Sequence, residues 1–117
     1  MKNAENSLQK TKLVKEIRDF VQTNTDKKIT PTILAEVLGK DVSYLSRHFK
    51  KETGMTISNF INRVKIDEAL LMVSTTDKSI SHIADELGFS STSYFAKVFR
   101  QVEGISPIEY KNNQVKI

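Results

Sequence analysis

Apolar residues recur at helical spacing along most of this chain, and nowhere do they alternate as in a strand. Leu8, Leu13, Ile17, Phe20 and Val21 mark one apolar stripe, which predicts an amphipathic helix over 8–24 after a frayed, polar stretch at 1–7. Thr30-Pro31 is a helix start, with Thr as N-cap and Pro in the first turn. The short helix it opens carries Ile33, Leu34, Val37 and Leu38 and stops at Gly39, with Lys40 and Asp41 in the turn. A helix over 42–53 follows, with Tyr44, Leu45, His48 and Phe49 on or near its buried side, and Gly54 predicts a left-handed C-cap. Thr56 or Ser58 caps a long helix within 55–73, whose stripe is Phe60, Ile61, Val64, Ile66, Ala69, Leu70 and Val73. Ser79 caps a second short helix, with Ile80, Ile83, Ala84 and Leu87 inward and Gly88 closing it. Residues 91–103 form another helix, burying Phe95, Val98, Phe99 and Val102, and Ser106-Pro107 opens a last one through Tyr110. The expectation is an all-α fold of seven helices.

Two of these stretches repeat each other about fifty residues apart. Leu34-Ala35-Glu36-Val37-Leu38-Gly39 answers to Ile83-Ala84-Asp85-Glu86-Leu87-Gly88. Ser43-Tyr44-Leu45-Ser46-Arg47-His48-Phe49-Lys50 answers to Ser93-Tyr94-Phe95-Ala96-Lys97-Val98-Phe99-Arg100. The second turn is longer by one residue. A helix, a tight turn and a second, basic helix make a helix-turn-helix, whose second helix can enter a DNA major groove.

Charge sharpens that picture. Eighteen Lys and Arg against fourteen Asp and Glu give a net charge of +4, which permits a polyanionic partner without demanding one. Placement says more than the total. Outward on the first basic helix are Ser43, Ser46, Arg47 and Lys50, with Lys51 beside them. The planar fork of Arg47 can bond guanine O6 and N7 together or grip a phosphate, whereas Ser43 and Ser46 discriminate weakly. The second basic helix offers Thr92, Ser93, Lys97 and Arg100. Lys97 answers to Arg47 and Arg100 to Lys50, so each unit keeps two cations one turn apart on one face. Ser43, Ser46, Arg47, Thr92, Ser93 and Lys97 are the candidate base readers. Lys50, Lys51, Arg100 and Lys40 are candidate phosphate contacts. Thr30 and Ser79, at helix starts whose backbone amides favour anions, are further phosphate candidates beside their capping role.

Other chemistries fall away. The chain has no Cys, which excludes disulfides, thiolate metal sites and cysteine nucleophiles. His48 and His82 stand at no metal-ligand spacing, and Asp85 and Glu86 have no nucleophile or glycine-rich loop near them in sequence. The reading is therefore a non-enzyme with no metal and no cofactor. No apolar run approaches the roughly 18 residues of a membrane span, and the first dozen residues are polar. The expectation is a cytoplasmic protein with no membrane partner.

At this point the sequence resembles the AraC/XylS transcription regulators. Ile80, Ile83-Ala84, Leu87-Gly88-Phe89-Ser90, Ser93-Tyr94-Phe95, Val98-Phe99-Arg100, Gly104-Ile105-Ser106-Pro107 and Tyr110-Lys111 carry the likeness in the second unit. Tyr44-Leu45-Ser46-Arg47, Phe49-Lys50-Lys51 and Thr53-Gly54 carry it in the first, and Phe60-Ile61, Lys65-Ile66 and Ala69-Leu70-Leu71 in the connecting helix. The resemblance implies an AraC-type DNA-binding domain over 8–112, with helix-turn-helix subdomains at 8–54 and 79–112 joined by a linker helix at 55–73. It further implies a sequence-specific regulator of transcription, usually an activator, that binds double-stranded DNA and touches RNA polymerase. Lys65, Lys97 and Lys111 stand where the family commonly has Arg, which keeps the charge and loses the bidentate fork. Most members carry an additional effector or dimerisation domain. This chain is expected to act as a monomer, either as a stand-alone member or as the DNA-binding part of a longer regulator, whose dimerisation would fall to a further domain. A rigid linker that turns both reading helices to one side would let them enter successive major grooves about 34 Å apart.

Overall fold

The computed structural model describes the backbone of residues 2–114 and side chains from Lys12 to Gln114. Seven helices run in order among these residues, with no strand: α1 (Lys2–Thr23), α2 (Pro31–Leu38), α3 (Val42–Thr53), α4 (Ile57–Thr75), α5 (Ile80–Glu86), α6 (Thr92–Glu103) and α7 (Pro107–Gln114). The fold is all-α, as the periodicity predicts. Two compact units divide the chain. One comprises 1–24 and 29–61, the other 25–28 and 62–117, so the division falls inside α4.

In the first unit the core is Leu13, Val14, Ile17, Val21, Ile29, Leu34, Ala35, Leu45, Phe49, Ile57 and Ile61. Phe49 is almost wholly buried, with its ring 5.3 Å from that of Phe60. Burying one such side chain contributes about 1.5–3 kcal/mol. Helix α1 starts at Lys2, earlier than the expected residue 8. Its opening residues form no apolar stripe but include the good helix formers Ala4, Glu5 and Gln9. The side chain of Leu8 lies outside the described residues. Val37, one of the apolar residues of α2, is 54% exposed, and Tyr44, expected on or near the buried side of α3, is 37% exposed. The wall of α2 is completed by Ala35, and Tyr44 lies at the rim with its ring edge against His48, 4.1 Å between centroids.

The second unit packs Ile66, Ala69, Val73, Ile83, Ala84, Leu87, Phe95, Val98 and Phe99 into one core. Its aromatic rings form a chain: Phe89 on Phe95, Phe95 on Phe99 and Phe99 on Tyr110, with centroids 5.0 to 5.8 Å apart. Edge-on contacts of this kind add about 0.5–1.5 kcal/mol each beyond area burial. Helix α7 runs four residues beyond the expected end at Tyr110. Its start is a reciprocal capping box: Ser106 Oγ accepts from the Glu109 amide, and Glu109 Oε1 accepts from the Ser106 amide. The Ser106 amide, then the Ser106 hydroxyl, with Arg100 adding to them, hold the Glu109 carboxyl below the usual carboxylate range.

One charged side chain breaks the apolar pattern. Lys65 is only 4% exposed, and its ammonium donates to the carbonyls of Thr25 (3.1 Å), Lys27 and Leu87. Burial pushes its pKa down, and the Asp26 carboxylate partly offsets that.

Candidate nucleic-acid interface

Each basic helix is placed by a cap at either end and an apolar face between. Asp41 is the N-cap of α3, where Oδ2 accepts from the Tyr44 amide at 3.1 Å. Asp41, expected as a turn residue, carries the signal of its role in its position, since an Asp immediately before a helix is a recognisable cap. Gly54 ends α3 at φ 78°, its amide donating to the Lys50 carbonyl. With Leu45 and Phe49 buried, helical spacing turns Ser43, Arg47, Lys50 and Lys51 outward, and all four are exposed. Ser46 is half-buried.

The second unit repeats the plan. Ser91 caps α6 by accepting from the Tyr94 amide at 3.0 Å, and Gly104 closes it at φ 86°. Phe95, Val98 and Phe99 are buried, while Thr92, Ser93, Lys97 and Arg100 are exposed. Ala96, where the first unit has Ser46, is half-buried. The Thr92 hydroxyl is 3.1 Å from that of Ser81 on α5, a contact that helical spacing does not predict. Among the described residues no salt bridge joins Arg47, Lys50, Lys51, Lys97 or Arg100 to a carboxylate.

The candidate phosphate contacts at the helix starts are real caps. Thr30 Oγ1 accepts from the Ile33 amide and Ser79 Oγ from the His82 amide, each at 3.1 Å. Ser79 is exposed and Thr30 half-buried. Lys40 is exposed in the first turn. Lys78, next to Ser79, is occupied by both carboxylate oxygens of Glu86, and that contact, with His82 also near, holds the Glu86 carboxyl below its usual range.

An open groove in the first unit brings Ser46, Arg47 and Lys50 together with Pro31 and with Thr56, Ile57 and Ser58 at the start of α4. Thr56, not Ser58, is the cap there, its hydroxyl accepting from the Asn59 amide. A notch in the second unit is lined by Ser79, Ser81, His82, Asp85, Phe89, Ser90, Ser91 and Thr92, among others. It unites Ser79 with Thr92 and leaves Ser93, Lys97 and Arg100 outside its lining. No three His, Asp or Glu gather as a metal site among the described residues, and no described helix is long and apolar enough to cross a membrane.

Two helix-turn-helix units, each presenting an exposed basic face on its second helix, define a double helix-turn-helix domain. Comparison with known proteins agrees. Residues 34–113 match the family model described as a helix-turn-helix domain. The chain is 34% identical over 102 residues to YisR, an uncharacterized HTH-type transcriptional regulator of Bacillus subtilis. That alignment covers 87% of the chain and 36% of YisR, so the chain spans little more than a third of this relative. The C-terminal domain of AraT, a response regulator from Geobacillus stearothermophilus, superimposes with a TM-score of 0.85 at 25% identity, covering 90% of this chain and 88% of that one. The DNA-binding domain of the global transcriptional factor AdpA, solved in complex with a target DNA, shares the fold with a TM-score of 0.80 at 21% identity, covering 86% of this chain and 90% of that one. The chain belongs to the AraC-type helix-turn-helix family of transcription regulators and is a DNA-binding domain of that family.

Proposed function

We propose that this domain binds double-stranded DNA sequence-specifically, α3 and α6 entering successive major grooves, and that the regulator containing it activates transcription. The observation that carries this reading is the matched pair of exposed cations on each second helix, Arg47 with Lys50 and Lys97 with Arg100, none in a salt bridge among the described residues. AdpA, of the same fold, was solved on its target DNA, which supports the same partner here. The AraC-type domain is assigned to 8–112, with reading subdomains at 8–54 and 79–112 and the linker helix at 55–73.

Arg47 reads a base through its fork, with Ser43 and Ser46 as weaker discriminators. Thr92, Ser93 and Lys97 act in the second groove, where Lys97 is a point charge and discriminates less. Thr30, Lys40, Lys50, Lys51, Ser79 and Arg100 hold phosphate. These contacts supply most of the affinity and make it salt-dependent. A monomer then covers an asymmetric site of roughly two helical turns. Where its fixed spacing does not match straight DNA, the duplex bends at a cost of about 1–6 kcal/mol. The domain works in the cytoplasm beside RNA polymerase, which it touches through surfaces other than the reading pair.

Selection of bound duplexes from a random pool tests this. Two blocks of preferred bases about ten base pairs apart are expected. A pool that emerges without preferred bases would refute sequence-specific reading.

A further inference from the structure

The two turns are built alike but held differently. In each, the left-handed glycine amide and the next amide close the preceding helix: Gly39 to Glu36 and Lys40 to Ala35, Gly88 to Asp85 and Phe89 to Ala84. A Cβ on Gly39 would meet nothing within 4 Å. A Cβ on Gly88 would stand 2.9 Å from the Lys27 carbonyl carbon, so the backbone of 25–28 lies directly against the second turn. Between them sits Lys65. An ammonium has three N–H donors, and three carbonyls converge on it: Thr25 and Lys27 from that segment, Leu87 from the turn itself. The ring of Phe89, next in the turn, lies 5.7 Å from the same nitrogen. None of these groups is in the reading face, and a buried cation is a costly way to fill a core that apolar side chains could fill.

We propose that Lys65 is a positioning residue for DNA recognition: its ammonium pins the α5–α6 turn against residues 25–28 and so fixes how α6 is presented to the groove. This rests on the DNA reading above. Leu87 to Phe89 is the short segment from which α6 departs three residues later, so a shift of its carbonyl moves the helix start and every cation along it. A methionine at 65 fills similar volume and leaves the buried Leu87 carbonyl and the part-buried carbonyls of Thr25 and Lys27 without their donor.

The test uses the full chain in the random-pool selection, with Arg47→Ala assigning one block of preferred bases to α3 and so the other to α6. Lys65→Met is expected to lose preference in the α6 block by about tenfold while keeping the α3 block. Val98→Ala, a truncation in the same core away from the turn, is expected to keep both blocks. A folded Lys65→Met protein with both blocks intact overturns the proposal. So does equal loss of the α6 block by Lys65→Met and Val98→Ala, since Lys65 would then act through stability alone. Should Lys65→Met not fold, NMR of the unaltered protein decides. A slowly exchanging Lys65 ammonium signal coupled through its hydrogen bond to the Leu87 carbonyl supports the clamp, and a rapidly exchanging, uncoupled one removes it. An unaltered protein that selects no preferred bases refutes the DNA reading first, and this proposal with it.

Discussion

The first helix-turn-helix turn stands open, whereas the second is braced by a neighbouring strand of backbone and a buried cation. The two units have nearly the same local sequence grammar, so the difference comes from what each turn packs against. Local rules make a turn of the right shape. Longer-range partners decide how firmly it is held.

Replacing the two turn glycines should expose that difference most strongly. Gly88→Ala combines a left-handed backbone with contact against Lys27, and a loss of about 2–4 kcal/mol in urea unfolding is expected. Gly39→Ala meets only the backbone penalty, about 1 kcal/mol. Equal losses would mean that the second turn is no tighter than the first.

The reading faces provide the next contrast. Arg47→Ala should cost about 1–3 kcal/mol at its own base positions and little elsewhere, whereas Lys97→Ala should weaken binding more evenly across sequences. A sharper base-specific loss for Lys97 than for Arg47 would reverse their assigned roles. Lys51→Ala should lower affinity uniformly and flatten the plot of log affinity against log salt by about one unit of slope. An unchanged slope would take Lys51 out of the phosphate set.

The smallest effect concerns acid. The Glu109 carboxyl is held below its ordinary value of 4.5 by the Ser106 bonds and then by Arg100. Its contribution to stability is therefore complete above pH 4.5 and lost as pH falls through the lower folded-state value. Glu109→Gln should narrow the drop in melting temperature across that acid window. An identical drop in both proteins would leave the capping box without an electrostatic share.

Much of this was legible because it is local. Thr30, Pro31, Ser79, Gly54 and Gly104 act within a turn or two of themselves, and their roles follow from residue type and position. The outward cations were legible too, since Leu45 and Phe49 fix the phase of α3 as Phe95 and Phe99 fix that of α6. Lys65 was not. Its three acceptors lie 22, 38 and 40 residues away, and helical spacing treats it as one more polar position. Tyr44 sits at the rim for a related reason: periodicity gives a direction around the helix axis but not the height of the neighbouring wall. The mid-helix division of α4 leaves no mark in composition, because a helix can change partners without changing its pattern.

The extra residue in the second turn enters ahead of the capping side chain. Arg47 and Lys97 therefore stand equally far along the chain from Asp41 and Ser91, and so do Lys50 and Arg100. The cap works as a zero mark for the ruler that follows it. Lengthening the loop upstream of that mark leaves the spacing of the charged teeth intact, while one residue inserted downstream swings them about 100° around the axis. Evolution, or a protein engineer, can thus vary the hinge without rewriting the message.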